Sequence, residues 1–154
     1  MASLPSYARR INKEISDKFE KDISEHLNCF LVQYDINAMI FVTFFNDKST
    51  VYIELNYSQQ YPFRCPKVKI NNINYQCLLK CNFNSFLKKI TDKRCLCCSS
   101  LTCSNNWKPI DNTYKLLEEI KTNLTTKLRC IELLHIKKIK HKYLNPDIPI
   151  EDFI

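Results

Sequence analysis

Four cysteines lie within ten positions in the stretch RCLCCSSLTCSNNWKPI, residues 94–110. The stretch ends with Trp107, the single tryptophan of the chain, and with Pro109 and Ile110. Thiolates are nucleophiles and also ligands for soft metal ions. The stretch is therefore a candidate for nucleophilic catalysis, for metal binding, or for a loop whose thiols pack as small apolar groups.

The cysteine spacing fits a zinc site. Cys95 and Cys98 have the C-x-x-C spacing of zinc ligands, and Cys77 and Cys81 lie upstream by about the length of a hairpin. Four thiolates that converge would bind zinc tetrahedrally, and the other cysteines of the stretch are spare ligands. A structural zinc would fix a loop without regular secondary structure. The zinc interpretation therefore stays open beside the catalytic one.

Length and composition indicate one globular domain, residues 1–154, which we expect to be a monomer. The N-terminus lacks a secretory signal and no apolar run is long enough to span a bilayer, so we expect a cytoplasmic or nuclear protein without a membrane partner. Its bias toward Lys, Asn and Ile is typical of AT-rich genomes such as those of some large DNA viruses. A viral source would place the protein in the host cytoplasm. In that compartment its nine cysteines are expected to be reduced, metal-bound or catalytic.

The net charge of +7 is modest for a nucleic-acid-binding protein. Much of the positive charge is local, in the segment 126–144, which we predict to be a basic helix. No aromatic residues alternate with these charges as a stacking platform would require. A solvated helix face is favoured over a nucleic-acid site.

Apolar side chains recur at every fourth position from Tyr7 to Leu27 and predict one amphipathic N-terminal helix from Ser6 to about Ser24. The stretches CFLVQY, NAMIFVTFF and TVYIELNY and a short segment at 68–70 then predict an antiparallel meander of about four strands, with a hairpin loop at 46–49. The chain has no glycine, so backbone positions with positive φ must be Asn or Asp.

After the meander the sequence predicts a short helix at NSFLKKI, the irregular cysteine-bearing segment, and C-terminal helices. The first of these begins near Thr113 after the capping pair Asp111 and Asn112. Asn145 and Pro146 end the helical pattern, and residues 145–154 are expected to form an extended tail. Segregated strands and helices indicate an α+β fold with helices on one face of the sheet.

Three stretches carry a family resemblance. YARRINKEISDKF resembles the first helix of ubiquitin-conjugating enzymes, YPFRCPKVKI resembles their Tyr-Pro-Phe segment, and WKPI with NTYKLLEEIKTNL resembles the region after their active-site cysteine. The stretches occur in the family's order and span residues 5–125. The resemblance implies a UBC-like fold and a transferase that carries ubiquitin or a ubiquitin-like modifier as a thioester on a cysteine and passes it to lysine.

The same resemblance implies a nucleophile and partners. The family pattern is Cys-Leu, a variable stretch and then Trp-x-Pro, which selects Cys95, 12 residues before Trp107, with Cys98 as second choice. The implied partners are the modifier, an activating enzyme and a ubiquitin ligase. The implied ligase-binding residues are Arg9, Arg10, Lys13, Phe63, Lys108, Pro109 and Ile110.

The sequence departs from the family where its His-Pro-Asn motif is expected. Tyr75 matches the tyrosine before the motif, but Gln76, Cys77 and Leu78 replace it, so no asparagine is assigned to the oxyanion. The alternative is a catalytically inactive UBC-like or RWD-like binding module, zinc-stabilised or not, that recruits ubiquitin, a ligase or another protein. A zinc-stabilised basic adaptor for nucleic acid is the third and least favoured hypothesis.

Overall fold

The computed structural model describes residues 3–35, 37–45, 49–80, 84–93, 95–103 and 105–144. In this part of the chain the fold is α+β, as predicted, with a five-stranded antiparallel sheet and a long C-terminal helix. The helices are α1 (Ser6–Glu14), α2 (Asp17–Leu27), α3 (Tyr75–Leu79), α4 (Asn84–Thr91) and α5 (Thr113–Leu144). The strands are β1 (Cys29–Tyr34), β2 (Ala38–Phe45), β3 (Ser49–Asn56), β4 (Lys67–Ile70) and β5 (Ile73–Asn74).

The N-terminal segment forms two helices, so the prediction of a single helix from Ser6 to about Ser24 was wrong. Ile15 leaves the helical conformation with φ −94° and ψ 95°. Ser16 then caps α2, since its hydroxyl accepts a hydrogen bond from the Phe19 amide at 3.2 Å. The cap starts a new helix although the apolar spacing continues across the break.

The strands pair in chain order, β1 to β5, and every pairing is antiparallel, which confirms the predicted meander. The two-residue strand β5 extends the predicted sheet of about four strands. In the β2–β3 hairpin Ala38 lies opposite Asn56, and Phe45 lies opposite Ser49. Residues 46–48 of the predicted loop lie outside the described part of the chain.

The helices cover one face of the sheet. Along β3 the side chains of Ile53 and Leu55 are buried and that of Tyr52 is exposed, as the alternating pattern predicts. Helices α1, α2 and α5 complete the core with Ile11, Ile23, Leu116, Leu117 and Ile120, among others. The positive-φ positions are Asn28, Asn71, Asn72 and Asp92 among the described residues, which confirms that Asn and Asp take the positions that usually favour glycine.

Helix α5 runs without interruption for 32 residues and includes the predicted basic segment 126–144, so the prediction of more than one C-terminal helix was wrong. The Asn112 side chain accepts a hydrogen bond from the Lys115 amide at 2.9 Å, which confirms the predicted cap. Helix α3 was not predicted, whereas α4 lies where NSFLKKI predicted it. None of the described helices has the length and apolar character needed to cross a bilayer. The predicted tail at 145–154 lies outside the described residues.

Candidate functional site

Three of the four cysteines in the loop between α4 and α5 lie together. The sulfur atoms of Cys95, Cys97 and Cys98, here called the thiol cluster, all lie within 4.8 Å of one another. The Sγ atoms of Cys97 and Cys98 are 3.9 Å apart. Cys95 and Cys97 are half-buried and Cys98 is exposed, so reagents and ions in solution can reach the cluster.

The thiols of the cluster differ in acidity. Hydrogen bonds from the side chain and backbone of Cys98, and further ones from Cys97, lower the pKa of Cys95. The pKa of Cys98 rises to about 11, because its thiol hydrogen-bonds to Cys95 and Cys97 and lies close to their negative charge. Cys95 is therefore the thiol of this pair that the loop favours as a thiolate, which is the reactive form.

The cluster is anchored through neighbouring residues. Between Cys95 and Cys97, the Leu96 side chain is 1% exposed and belongs to the hydrophobic core. The side-chain amide nitrogen of Asn106 (Nδ2) donates hydrogen bonds to the carbonyl oxygens of Cys98 at 2.8 Å and Ser100 at 2.9 Å. The loop is therefore held by one apolar and two polar contacts close to the sulfur atoms.

Glu119 of α5 holds the next part of the loop. Its carboxylate accepts hydrogen bonds from the Leu101 amide at 2.5 Å and from the Ser100 hydroxyl at 2.9 Å. It also accepts one from the Tyr75 hydroxyl at 3.1 Å, and that hydroxyl accepts one from Asn123 at 2.8 Å. One carboxylate thus joins α5, α3 and the cysteine-bearing loop. Sequence reasoning missed Glu119, because an acidic residue in an amphipathic helix gives no local sign of a distant partner.

Residues 76–78, which the family resemblance aligns with the His-Pro-Asn motif, also contact the cysteine-bearing loop. The Gln76 side-chain amide donates to the Thr102 hydroxyl, and that hydroxyl pairs with Ser100 at 2.7 Å. Cys77 is exposed on α3. Gln76 therefore contacts the cysteine-bearing loop at Thr102, and among the hydrogen bonds of the described residues it makes none to the thiol cluster.

The described structure groups the cysteines differently from the predicted zinc set. Cys95 and Cys98 lie together as the C-x-x-C spacing predicted, but their third partner is Cys97 and not Cys77. Cys81, the remaining member of the predicted set, lies outside the described residues. The sulfur distances of the thiol cluster are compatible with a structural zinc. Sequence reasoning named Cys97 only as a spare ligand.

A second feature is the surface beside the loop. The indole nitrogen of Trp107 donates to the Pro62 carbonyl oxygen at 2.7 Å and joins the Tyr-Pro-Phe segment to the cysteine-bearing loop. Phe63, the next residue, is 75% exposed, and Ile110 is 79% exposed. Arg10 of α1 reaches the same region, where its guanidinium donates to the Pro109 carbonyl oxygen at 3.1 Å.

The residues predicted to bind a ligase therefore come from three segments that contact one another. Arg10 and Pro109 are in direct contact, and Phe63 comes directly after the proline that Trp107 holds. The remaining predicted residues are also exposed at these segments: Arg9, Lys13 and Lys108. The seven predicted residues lie on these three segments and are here called the docking surface: Arg9, Arg10, Lys13, Phe63, Lys108, Pro109 and Ile110.

A buried polar network underlies the docking surface. The Glu14 carboxylate accepts hydrogen bonds from the Tyr61 hydroxyl at 2.6 Å and from the Thr113 hydroxyl at 2.8 Å. Arg10 forms an ion pair with the same carboxylate at 3.0 Å, and the Tyr57 and Thr113 hydroxyls are 2.6 Å apart. The network joins the end of α1, the Tyr-Pro-Phe segment and the start of α5.

No protein-family model and no curated protein sequence matches the chain. The chemistry of its own residues is thus what indicates a function: an accessible thiol cluster with unequal acidities, a loop held by Glu119 and Asn106, and an exposed docking surface beside that loop.

Proposed function

We propose that the chain is a divergent ubiquitin-conjugating-type protein with a UBC-like fold, which accepts ubiquitin or a ubiquitin-like modifier as a thioester on Cys95. It then transfers the modifier to a lysine amine. Its proposed partners are an activating enzyme, which supplies the modifier, and a ubiquitin ligase, which binds the docking surface.

The state of Cys95 is the observation that carries the proposal. Its thiol is partly accessible, its pKa is lowered by hydrogen bonds from Cys98 and Cys97, and it lies one residue before the buried anchor Leu96. A nucleophilic thiol needs all three properties, since it must be deprotonated, reachable and held in place. Cys98 is reachable too, but its raised pKa makes it the second choice.

The proposed reaction has two steps. The Cys95 thiolate attacks the thioester carbonyl carbon of the modifier on the activating enzyme; a new C–S bond forms, and the activating enzyme's thiolate leaves with the electrons of the broken bond. A substrate amine then attacks the same carbon, an amide forms, Cys95 leaves as a thiolate, and the amine nitrogen loses a proton to solvent. The lowered pKa of Cys95 favours both its attack and its departure.

The docking surface supports the ligase part of the proposal. Large apolar side chains that are mostly exposed, such as Phe63 and Ile110, gain by burial against a partner. The exposed residues Arg9, Lys13 and Lys108 add positive charge to the segments of the docking surface, which favours an acidic or polar partner rim. The Trp107 hydrogen bond connects this surface to the loop that bears Cys95.

A second candidate function is an inactive binding module with the same scaffold. It is favoured by the residues in place of His-Pro-Asn: Gln76 hydrogen-bonds to Thr102, and Cys77 is an exposed thiol. The oxyanion that develops at each transfer step requires a hydrogen-bond donor, and this segment assigns none. Such a module would use the docking surface without forming a thioester.

The test is to incubate the chain with activating enzyme, ubiquitin, ATP, Mg²⁺ and a chelator that binds zinc but not magnesium, and to separate the products on a non-reducing gel. The proposal expects a band larger by one ubiquitin that reductant removes, that Cys95→Ser abolishes, and that the control Cys103→Ser keeps. Cys103 is half-buried in the same loop but is not part of the thiol cluster.

The two functions give different results in this test. An adduct that depends on Cys95 supports the enzyme, and an adduct that depends on Cys98 alone contradicts the assignment of the nucleophile. A folded chain that forms no adduct with several activating enzymes and modifiers, but binds ubiquitin or a ligase in solution, supports the binding module.

A further inference from the structure

We infer that the thiol cluster is a zinc site that uses the same sulfur atom as the thioester, so that bound zinc switches the proposed transfer off. The inhibition rests on the proposed function, whereas the zinc site itself rests only on the positions of Cys95, Cys97 and Cys98.

The sulfur positions are close to those that zinc requires. Zinc–sulfur bonds are about 2.3 Å long, and two ligands of a tetrahedral ion at that distance are about 3.8 Å apart. The Sγ atoms of Cys97 and Cys98 are 3.9 Å apart, and the largest separation in the cluster is at most 4.8 Å. Binding would therefore shorten a sulfur–sulfur distance by about 1 Å at most, which rotation of an accessible thiol can supply.

The chain holds the three sulfur atoms together without the metal. The buried Leu96 side chain fixes the backbone between two of the ligands, and Asn106 holds the carbonyl oxygen of Cys98 at 2.8 Å. A site that is formed in advance loses less conformational entropy on binding. Three thiolates with a water molecule as fourth ligand make a tetrahedral site whose metal can exchange.

Zinc and the modifier compete for Cys95, because a thiolate binds zinc well and the neutral sulfur of a thioester binds it poorly. On zinc binding the thiols of the cluster lose their protons, and each thiolate donates an electron pair to the metal. Coordination lowers the negative charge on the Cys95 sulfur and occupies part of the space around it, so the sulfur is a weaker nucleophile toward a thioester carbonyl. The zinc-bound chain is therefore expected to resist both acyl transfer and alkylation at Cys95, and a chelator is expected to restore both.

The site is tested first with zinc alone, by titration of the reduced chain against a competing chromophoric chelator. The wild type is expected to bind one zinc ion. Cys97→Ser or Cys98→Ser should weaken binding by more than about 100-fold, since loss of even an outer-shell partner costs about 10–100-fold. Cys77→Ser and Cys103→Ser are the matched controls and should leave affinity unchanged. Circular dichroism confirms that each variant is folded.

Alkylation gives a readout that needs neither ubiquitin nor an activating enzyme. Zinc is expected to slow the reaction of Cys95 with iodoacetamide by more than about tenfold, as followed by peptide mass spectrometry, and to leave the rate at the exposed Cys77 unchanged. Equal zinc affinity in the wild type, Cys97→Ser and Cys98→Ser overturns the site. A loss in Cys77→Ser as large as in Cys97→Ser also overturns it.

The inhibition by zinc is tested by the thioester assay in the presence of Mg²⁺, with added zinc and then with the zinc-selective chelator. Loss of the adduct with zinc and its return with chelator support the inference. Equal adduct formation with and without bound zinc overturns the inhibition while leaving the zinc site in place. A chain that binds zinc at the cluster but forms no adduct even with chelator refutes the proposed function and, with it, the regulation, and again leaves the site in place.

Discussion

Truncation of Glu14 should disrupt the network beneath the docking surface. The change is Glu14→Ala. It removes the acceptor for the Tyr61 hydroxyl at 2.6 Å and for the Thr113 hydroxyl at 2.8 Å. Tyr61 is 2% exposed and Thr113 is fully buried, so water cannot easily replace the lost carboxylate. We expect the hydrogen bonds that join Glu14 of α1 to Tyr61 and to Thr113 to be lost.

The expected cost is set by these contacts. A buried hydroxyl left without its partner costs about 1–3 kcal/mol, but Thr113 keeps the Tyr57 hydroxyl at 2.6 Å, so we expect about 3 kcal/mol in total. Arg10→Ala is the matched control. The Arg10 side chain is one third exposed, and removing its ion pair with Glu14 and its hydrogen bond to the Pro109 carbonyl oxygen should cost about 1–2 kcal/mol in total.

The assay is urea denaturation followed by far-ultraviolet circular dichroism, which gives the free energy of unfolding of each variant. The double variant Glu14→Ala/Tyr61→Phe completes a cycle with the two single variants. Because the two groups share one short hydrogen bond, we expect the double variant to be less destabilised than the sum by about 1–2 kcal/mol.

Two results would refute this reasoning. The first is a Glu14→Ala variant that loses no more stability than Arg10→Ala. The second is a cycle in which Glu14→Ala and Tyr61→Phe are additive within about 0.3 kcal/mol, since additivity at that level indicates groups that do not interact.

Three further predictions concern other exposed and buried groups. Phe63→Ala should weaken ligase binding in calorimetry by more than about tenfold, but change the free energy of unfolding by less than about 0.5 kcal/mol, because Phe63 is 75% exposed. Trp107→Phe should cost about 1 kcal/mol in urea denaturation, since it removes the donor to Pro62. Burial raises the pKa of Cys29 to about 11, so its thiolate fraction at pH 8 is about 100-fold below that of a thiol with the usual value; mass spectrometry after iodoacetamide treatment should find Cys77 labelled before Cys29.

Each of these predictions has an outcome that opposes it. Ligase binding by Phe63→Ala equal to that of the wild type would remove Phe63 from the docking surface. An unchanged free energy of unfolding for Trp107→Phe would show that the indole hydrogen bond contributes nothing net. Labelling of Cys29 as fast as that of Cys77 at pH 8 would contradict its burial in the folded chain.

The sheet was the most predictable part of the fold, because its signals are local. In TVYIELNY the buried residues Ile53 and Leu55 alternate with the exposed Tyr52, and that period of two is enough to define a half-buried strand. The connections β1–β2, β2–β3 and β4–β5 are short, which favours antiparallel pairing of strands that follow one another in the chain. The α+β class could be predicted from the segregation of strands and helices.

The helix boundaries were less predictable, because capping competes with periodicity. Ile11, Ile15 and Phe19 continue one apolar spacing across the break between α1 and α2, and only the Ser16 cap opposes it. Helix α3 has five residues, too few for a periodic pattern, and starts with the Asn74 side chain accepting a hydrogen bond from the Gln76 amide. Such short elements depend on contacts that the sequence does not display.

The candidate site was predictable only in part. The C-x-x-C spacing brings Cys95 and Cys98 together, and they do lie in one cluster. The third cysteine of the cluster is Cys97 and not the predicted Cys77, which depends on how the loop folds. Contacts that hold the loop include the buried Leu96 side chain and the hydrogen bond from the Leu101 amide to Glu119. Long-range contacts of this kind leave no spacing in the sequence from which they can be read.

The most direct test of the central claim is to locate the thioester in the wild-type chain. After incubation with activating enzyme, ubiquitin and ATP, free thiols are blocked with one alkylating reagent; hydroxylamine then cleaves the thioester, and a second reagent labels the thiol that is released. Peptide mass spectrometry is expected to find the second label on Cys95. A second label on another cysteine, or on none in a folded and zinc-free chain, would contradict the assignment of Cys95 as the thiol that carries the modifier.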